Sequence, residues 1–241
     1  TVTRPDLREI SAASYIDPLT EYRIVGTPNL ETAQLDNFDV RADMFYENGD
    51  SLTFSLFYKD IVNPIETTRL AGSDNNIVLS FVNAQEAQIY GIEAEYLKEL
   101  SSWTPGLFFN SNITISESEI TVDAFDTGLT NNNRQMTNHS PWVVNFQLGY
   151  DSPNEKHTAS LVYNVADERL FFAGRDGQDD AFEQSFHAMD FVYSYYPQAE
   201  VSVKLKLQNL LGSTIEIEQD GVTIFEQEPG QTISLSVAWE Y

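Results

Sequence analysis

The chain has 241 residues and a formal net charge of −24, with 37 acidic against 13 basic side chains. That excess excludes nucleic-acid binding, where Lys and Arg must neutralise phosphates, and opposes an acidic substrate held by Coulomb attraction alone. Cysteine is absent, which excludes disulfides and Cys-based metal sites; no apolar run reaches the ~18 residues of a transmembrane helix, although a transmembrane barrel needs only one apolar face per strand.

The sequence begins at Thr1 with neither Met nor a signal peptide, which predicts a processed product or a piece of a longer chain. A strand stub at Thr1–Arg4 precedes a long loop, Pro5–Leu30, bearing Tyr15 and Tyr22. In Asn37–Tyr46 the side chains alternate: Phe38, Val40, Ala42, Met44 and Tyr46 on one face, Asn37, Asp39, Arg41 and Asp43 on the other. Successive side chains of a strand point to opposite faces, so this is a strand with one apolar and one polar side. A short turn, Glu47–Asp50, leads to a long strand over Leu52–Thr67 and a long loop, Thr68–Asn76. Ile77–Leu97 reads as another long strand, with Tyr90, Ile92, Ala94 and Tyr96 opposing Gly91, Glu93 and Glu95. After the short turn Glu99–Ser102, the next long connection is Val122–His139, carrying Phe125.

Val144, Phe146, Leu148 and Tyr150 then alternate with Asn145, Gln147 and Gly149. Across the short turn Asp151–Glu155, Ala159, Leu161, Tyr163 and Val165 do the same. The loop Ala173–Gln184 holds Phe182 and follows Phe171 and Phe172. Met189–Tyr195 alternates, turns at Pro197–Ala199, and continues as Val201–Asn209, whose polar side carries Lys204 and Lys206. A last long loop, Glu218–Gly230, precedes Gln231–Tyr241, where Ile233, Leu235, Val237, Trp239 and Tyr241 take every second position. The period is 2 throughout, which predicts an all-β chain: an antiparallel meander of about nine long strands plus the stub. Connections alternate short and long, so one end of the meander is turned tightly and the other is elaborated. No domain boundary or internal repeat interrupts residues 1–241.

Motifs for chemistry are sparse. No G-x-S-x-G, P-loop or G-x-G-x-x-G is present, and Glu93 and Glu95 share a strand face without an opposing pocket, so the expectation is no enzyme and no cofactor. Asp176–Asp180 offers oxygens but lacks calcium-loop spacing, and His139, His157 and His187 show no metal-ligand spacing, so no metal is expected. Proline in Asn63-Pro64-Ile65-Glu66 removes a ladder donor and marks a strand end or bulge.

Several stretches together resemble one family. Leu56–Glu66 (LFYKDIVNPIE), Phe81–Glu95 (FVNAQEAQIYGIEAE), Ser140–Tyr150 (SPWVVNFQLGY) and Lys206–Gly212 (KLQNLLG) occur in this order before the aromatic end of the chain. That order is similar to the C-terminal part of the barrel of TonB-dependent outer-membrane receptors. The resemblance implies part of a transmembrane β-barrel, an open curved sheet when taken as an isolated piece, with the plug and the first barrel strands outside it. It implies location in the outer membrane of a Gram-negative bacterium and active uptake of a nutrient: a siderophore, cobalamin or an oligosaccharide. Implied partners are membrane lipid, TonB and the plug, the barrel-assembly machinery and a small-molecule or oligosaccharide ligand; a monomer is expected. Leu235, Val237, Trp239 and Tyr241 would form the assembly signal. Tyr15, Tyr22, Phe125, Phe171, Phe172 and Phe182 would be loop contacts for ligand, or an interfacial girdle. The polar-face charges would line a water-filled lumen, and Gly91 would admit a plug or a neighbouring side chain, or mark a bulge.

The competing architecture is a soluble, secreted β-sandwich that binds carbohydrate. There the apolar rows would turn inward against a second sheet.

Overall fold

The computed structural model describes residues 1–70, 77–123 and 128–239. A stub, β1 (Val2–Thr3), is followed by a one-turn helix, α1 (Leu7–Ile10), and two short strands, β2 (Ser14–Ile16) and β3 (Arg23–Val25). Next come β4 (Ala33–Phe45), β5 (Ser51–Val62), β6 (Ile65–Arg69), β7 (Val78–Asn83), β8 (Glu86–Glu99) and β9 (Leu107–Thr121). The two-residue β10 (Asn133–Arg134) precedes β11 (Trp142–Asp151), β12 (His157–Ala166), β13 (Arg169–Phe172), β14 (Ala181–Glu183) and β15 (His187–Gln198). The chain continues through β16 (Val201–Gln208), β17 (Ile215–Gln219), β18 (Val222–Gln227) and β19 (Thr232–Trp239).

The main sheet is an antiparallel meander in the order β1-β4-β5-β8-β9-β11-β12-β15-β16-β19, with β10 added beside β9. Nine of these strands are long, as the alternation predicts. The sheet is open, because its outer members β1 and β19 do not pair with each other. Register keeps each apolar row in line from strand to strand. Val40 lies opposite Leu56, Leu56 opposite Ile92, Ile92 opposite Ile115 and Ile115 opposite Trp142. At the other side Phe191 faces Leu207, and Leu207 faces Ile233. A one-residue slip in any strand would put its apolar set on the polar face, so the pattern itself enforces the pairing.

Two expected strands are each broken. Leu52–Thr67 divides at Asn63, which has a φ of 54°, and at Pro64, which has no N–H to give the ladder. Ile77–Leu97 divides at the facing position, Ala84–Gln85. The bent segments stay joined by Ala84 N–H to the Pro64 carbonyl at 2.8 Å and Asn63 N–H to the Gln85 carbonyl at 3.2 Å. Beyond the break β6 and β7 pair with each other, leave the main sheet, and join β2 and β3 in a four-stranded sheet ordered β2-β3-β7-β6. The later long connections make a second small sheet, β13-β14-β17-β18. Three of the long loops therefore contain ordered strands: Pro5–Leu30 holds β2 and β3, Ala173–Gln184 holds β14, and Glu218–Gly230 holds β18. Their sequence signal is weak because each segment is only three to six residues long.

Dry packing is confined to this elaborated end. One cluster joins Ala33, Ile61, Ala87 and Ile120, at the ends of long strands, to Val122 and Ala173. A second joins Leu79 of one small sheet to Phe172, Ala181 and Ile217 of the other. Along the main sheet the apolar rows stay open, from Ile92 at 40% and Phe146 at 37% exposed on central strands to Val40 at 69% and Leu235 at 70% on outer ones. No second layer covers them among the described residues, which rules out the sandwich architecture.

Candidate functional site

The main sheet presents two faces of opposite character. Its polar face carries Arg41 between Asp43, at 2.9 Å, and Glu95, at 3.6 Å, while Thr53 donates to Asp43 at 2.7 Å. Asn112, Asn145 and Asn164 form an amide ladder across the middle strands. Among the described residues neither Lys204 nor Lys206 pairs with a carboxylate. The face is less uniformly polar than the alternation implies, because Phe57 and Phe108 also lie on it, each opposite a glycine. A Cβ on Gly91 would stand 2.8 Å from the Phe57 ring, and one on Gly149 would stand 2.1 Å from the Phe108 ring. Gly91 is therefore a bed for a neighbouring ring, and the register runs through it without a bulge.

The apolar face ends in β19, whose Leu235, Val237 and Trp239 all lie open. Tyr241 lies outside the described residues, as does Phe125. Each histidine is taken up by hydroxyls. His139 lies between Ser116 and Ser118, both at 2.9 Å, and burial holds its imidazole below the ordinary value. His157 bonds the Tyr193 hydroxyl and His187 the Tyr163 hydroxyl, each at 2.7 Å.

At the elaborated end the two small sheets enclose a cleft of about 350 Å³. One wall is Ile24, Leu79 and Phe81; the other is Phe171, Ile217 and Phe225. Tyr22 packs behind them, 6.3 Å from Phe171 and 6.4 Å from Phe225 between ring centres. Its hydroxyl is buried without a hydrogen-bond partner among the described residues, and that burial pushes the phenol up. Tyr22 and Phe171 thus meet, although they lie far apart in sequence. Phe172 is wholly buried beneath them and offers no surface. Phe182 lines a separate acidic cavity with Asp179, Asp180, Glu218 and Asp220. There Asp220, by hydrogen bond and charge, holds the Asp179 carboxyl above its ordinary value. Tyr15 sits half-buried on β2, away from both cavities. Among the described residues no three carboxylates or imidazoles converge as metal ligands.

Three charged groups line the cleft beside these apolar walls. Arg169 grips Glu183 in a two-pronged pair, Nη2 to Oε1 at 2.9 Å and Nε to Oε2 at 3.1 Å. This pair also lines a pocket of about 290 Å³ that opens on the polar face of the main sheet beside Asn145 and Asn164. Asp17 stands at the cleft corner, where its Oδ1 accepts from the Leu19 and Thr20 backbones, both at 2.9 Å. Burial pushes the Asp17 carboxyl up, but those N–H bonds and the Thr20 hydroxyl outweigh it and carry it below its ordinary value. The Asp17-x-x-Thr20 spacing is an Asx-turn signal and is legible; the Arg169–Glu183 pairing is not.

A family model described as TonB-dependent receptor-like β-barrel matches residues 1–210. A mutant of the ferric enterobactin receptor of Pseudomonas aeruginosa is structurally similar at TM-score 0.63 and 14% identity, over 99% of this chain and 36% of that one. The FrpB iron transporter of Neisseria meningitidis matches at 0.61 and 14%, over 88% of this chain and 31% of its own. The siderophore receptor PirA of Acinetobacter baumannii matches at 0.61 and 13%, over 91% and 33%. This chain therefore spans about a third of their length. No curated protein matches the sequence.

Proposed function

Because the chain belongs to the TonB-dependent receptor-like β-barrel family, we propose that it forms part of the wall and outer loops of an active uptake receptor in a Gram-negative outer membrane. The observation that carries this reading is the bare apolar side of the main sheet. Leaving a Leu or Val side chain in water forgoes about 1.5–3 kcal/mol of burial, and here row after row is left so. Hydrocarbon is the medium in which that face is favourable, and the polar face then lines an aqueous interior. The unpaired edges β1 and β19 support further strands completing the barrel, since a bilayer tolerates no open sheet edge.

In this reading the tight turns lie on the periplasmic side and the two small sheets outside the cell. TonB acts on a plug beyond this chain. The barrel-assembly machinery reads Leu235, Val237, Trp239 and Tyr241, and the receptor is a monomer. The nutrient is a small molecule; the names of the structural relatives make an iron–siderophore complex the first class to test, ahead of cobalamin and oligosaccharides.

The test is fractionation of cells expressing the full-length protein. Recovery in the outer membrane, soluble only in detergent and heat-modifiable on electrophoresis, is expected. Removal of residues 239–241 should abolish insertion. A full-length protein recovered in solution without detergent would overturn the membrane reading, and normal insertion of the truncated form would overturn the assembly role.

A further inference from the structure

The cleft between the two small sheets has the chemistry of a binding site for one kind of ligand. Its walls are apolar and partly aromatic: Ile24, Leu79, Phe81, Phe171, Ile217 and Phe225. Of its three charges, two cancel, because both prongs of Arg169 are occupied by Glu183. The third is Asp17. Its Oδ1 is engaged by the Leu19 and Thr20 backbones and by the Thr20 hydroxyl. Its Oδ2 makes no hydrogen bond or ion pair among the described residues, and the carboxylate lines the cleft. The bonds to Oδ1 and the nearby positive charge of Arg8, which forms no ion pair with Asp17 among the described residues, both favour the ionised form, so the corner presents a carboxylate with one oxygen unclaimed. The surrounding protein deepens that potential, since the chain carries a net charge of −24.

We infer that this cleft takes a small amphipathic cation: a flat apolar body lies between the Phe171–Phe225 wall and the facing Ile24–Leu79–Phe81 wall, and a protonated nitrogen donates to Asp17 Oδ2. The inference rests on the receptor reading, which places the cleft on the outer side of the membrane. An anion here would meet Asp17 directly and would have to displace Glu183 to reach Arg169.

The test uses two fluorescent probes with the same ring system and opposite charge, 1-naphthylmethylammonium and 1-naphthoate. Each is titrated into the full-length receptor purified in detergent and verified as folded by heat-modifiable migration. The ammonium probe should bind at least about tenfold more tightly than the carboxylate. Asp17→Asn keeps the Oδ1 acceptor and the turn while removing the charge. It should weaken the ammonium probe about tenfold and change the carboxylate probe less than about twofold. Phe225→Ala should weaken both probes.

Equal affinities, or an ammonium probe indifferent to Asp17→Asn, would overturn the cationic class. The cleft would survive that result as a site if Phe225→Ala still weakened both probes. Binding of neither probe to a folded, membrane-inserted receptor would overturn the cleft itself. Insertion is read separately, so failure of the receptor reading is not confused with either result.

Discussion

Glu66 and Arg134 lie 68 positions apart in sequence and meet where water is excluded, 3.0 Å apart with side chains 2% and 4% exposed. Glu66 also accepts from the Thr137 backbone at 3.1 Å, so one carboxylate of β6 fastens the β9–β11 connection. Among the described residues Arg134 Nε and Nη2 find no partner, so the guanidinium is only partly satisfied. Removing one member of a buried pair strands the other, and Arg134→Ala should lower stability by about 3–5 kcal/mol. The matching observation is faster hydrogen exchange over residues 133–137, with the long strands of the main sheet unchanged. Burial drives the Glu66 carboxyl above its ordinary value, against the opposing pull of Arg134 and Thr137. A raised carboxyl contributes stability that is full below its unfolded value and is lost as pH rises through the folded one. Wild type should therefore gain on Glu66→Gln in unfolding midpoint as pH falls from 7 toward about 4. A gap that widens the other way would refute the assignment. Neither residue stands out in the sequence, because a charge on a short strand normally means a solvated face.

Among the elements, β9 and β11 show how a strand pair uses a glycine. Gly149 has no Cβ, and the Phe108 ring from the neighbouring strand fills that space. Gly149→Ala drives a methyl into the ring, and overpacking of this kind costs about 1–3 kcal/mol. Phe108→Leu should recover part of that loss in the double variant while being harmful alone, a coupling read from unfolding midpoints of the three variants. The glycines are visible in the sequence as interruptions of the polar face. Their cover is not, because it depends on which strand lies opposite and in what register. The break at Asn63-Pro64 is legible as a strand end. What lies beyond it is not, since β6 carries no alternation distinct from that of β5.

For the whole molecule, the decisive property is the sidedness of the main sheet. Leu235 sits mid-strand on the apolar face of β19, and Ser236 beside it faces the other way. An arginine at a lipid-facing midplane position costs about 2–4 kcal/mol, and one facing an aqueous interior costs little. Leu235→Arg should therefore impair outer-membrane insertion of the full-length protein, while Ser236→Arg leaves it intact. Equal tolerance of both would remove the lipid-facing assignment.

The sequence by itself determined the strand class, the number of long strands and the two-faced character of each, because a period of 2 is a local property written in neighbouring residues. It also determined the alternation of tight and long connections, since turn chemistry is local too. Only the tertiary structure decided that the apolar face meets no second sheet among the described residues. It alone showed that segments of the long loops join bent strand ends in two small sheets, and that Asp17, Phe171 and Phe225 share one cleft. Those facts rest on contacts between distant segments, and a side chain's type does not specify the partner that register and chain reversal bring to it.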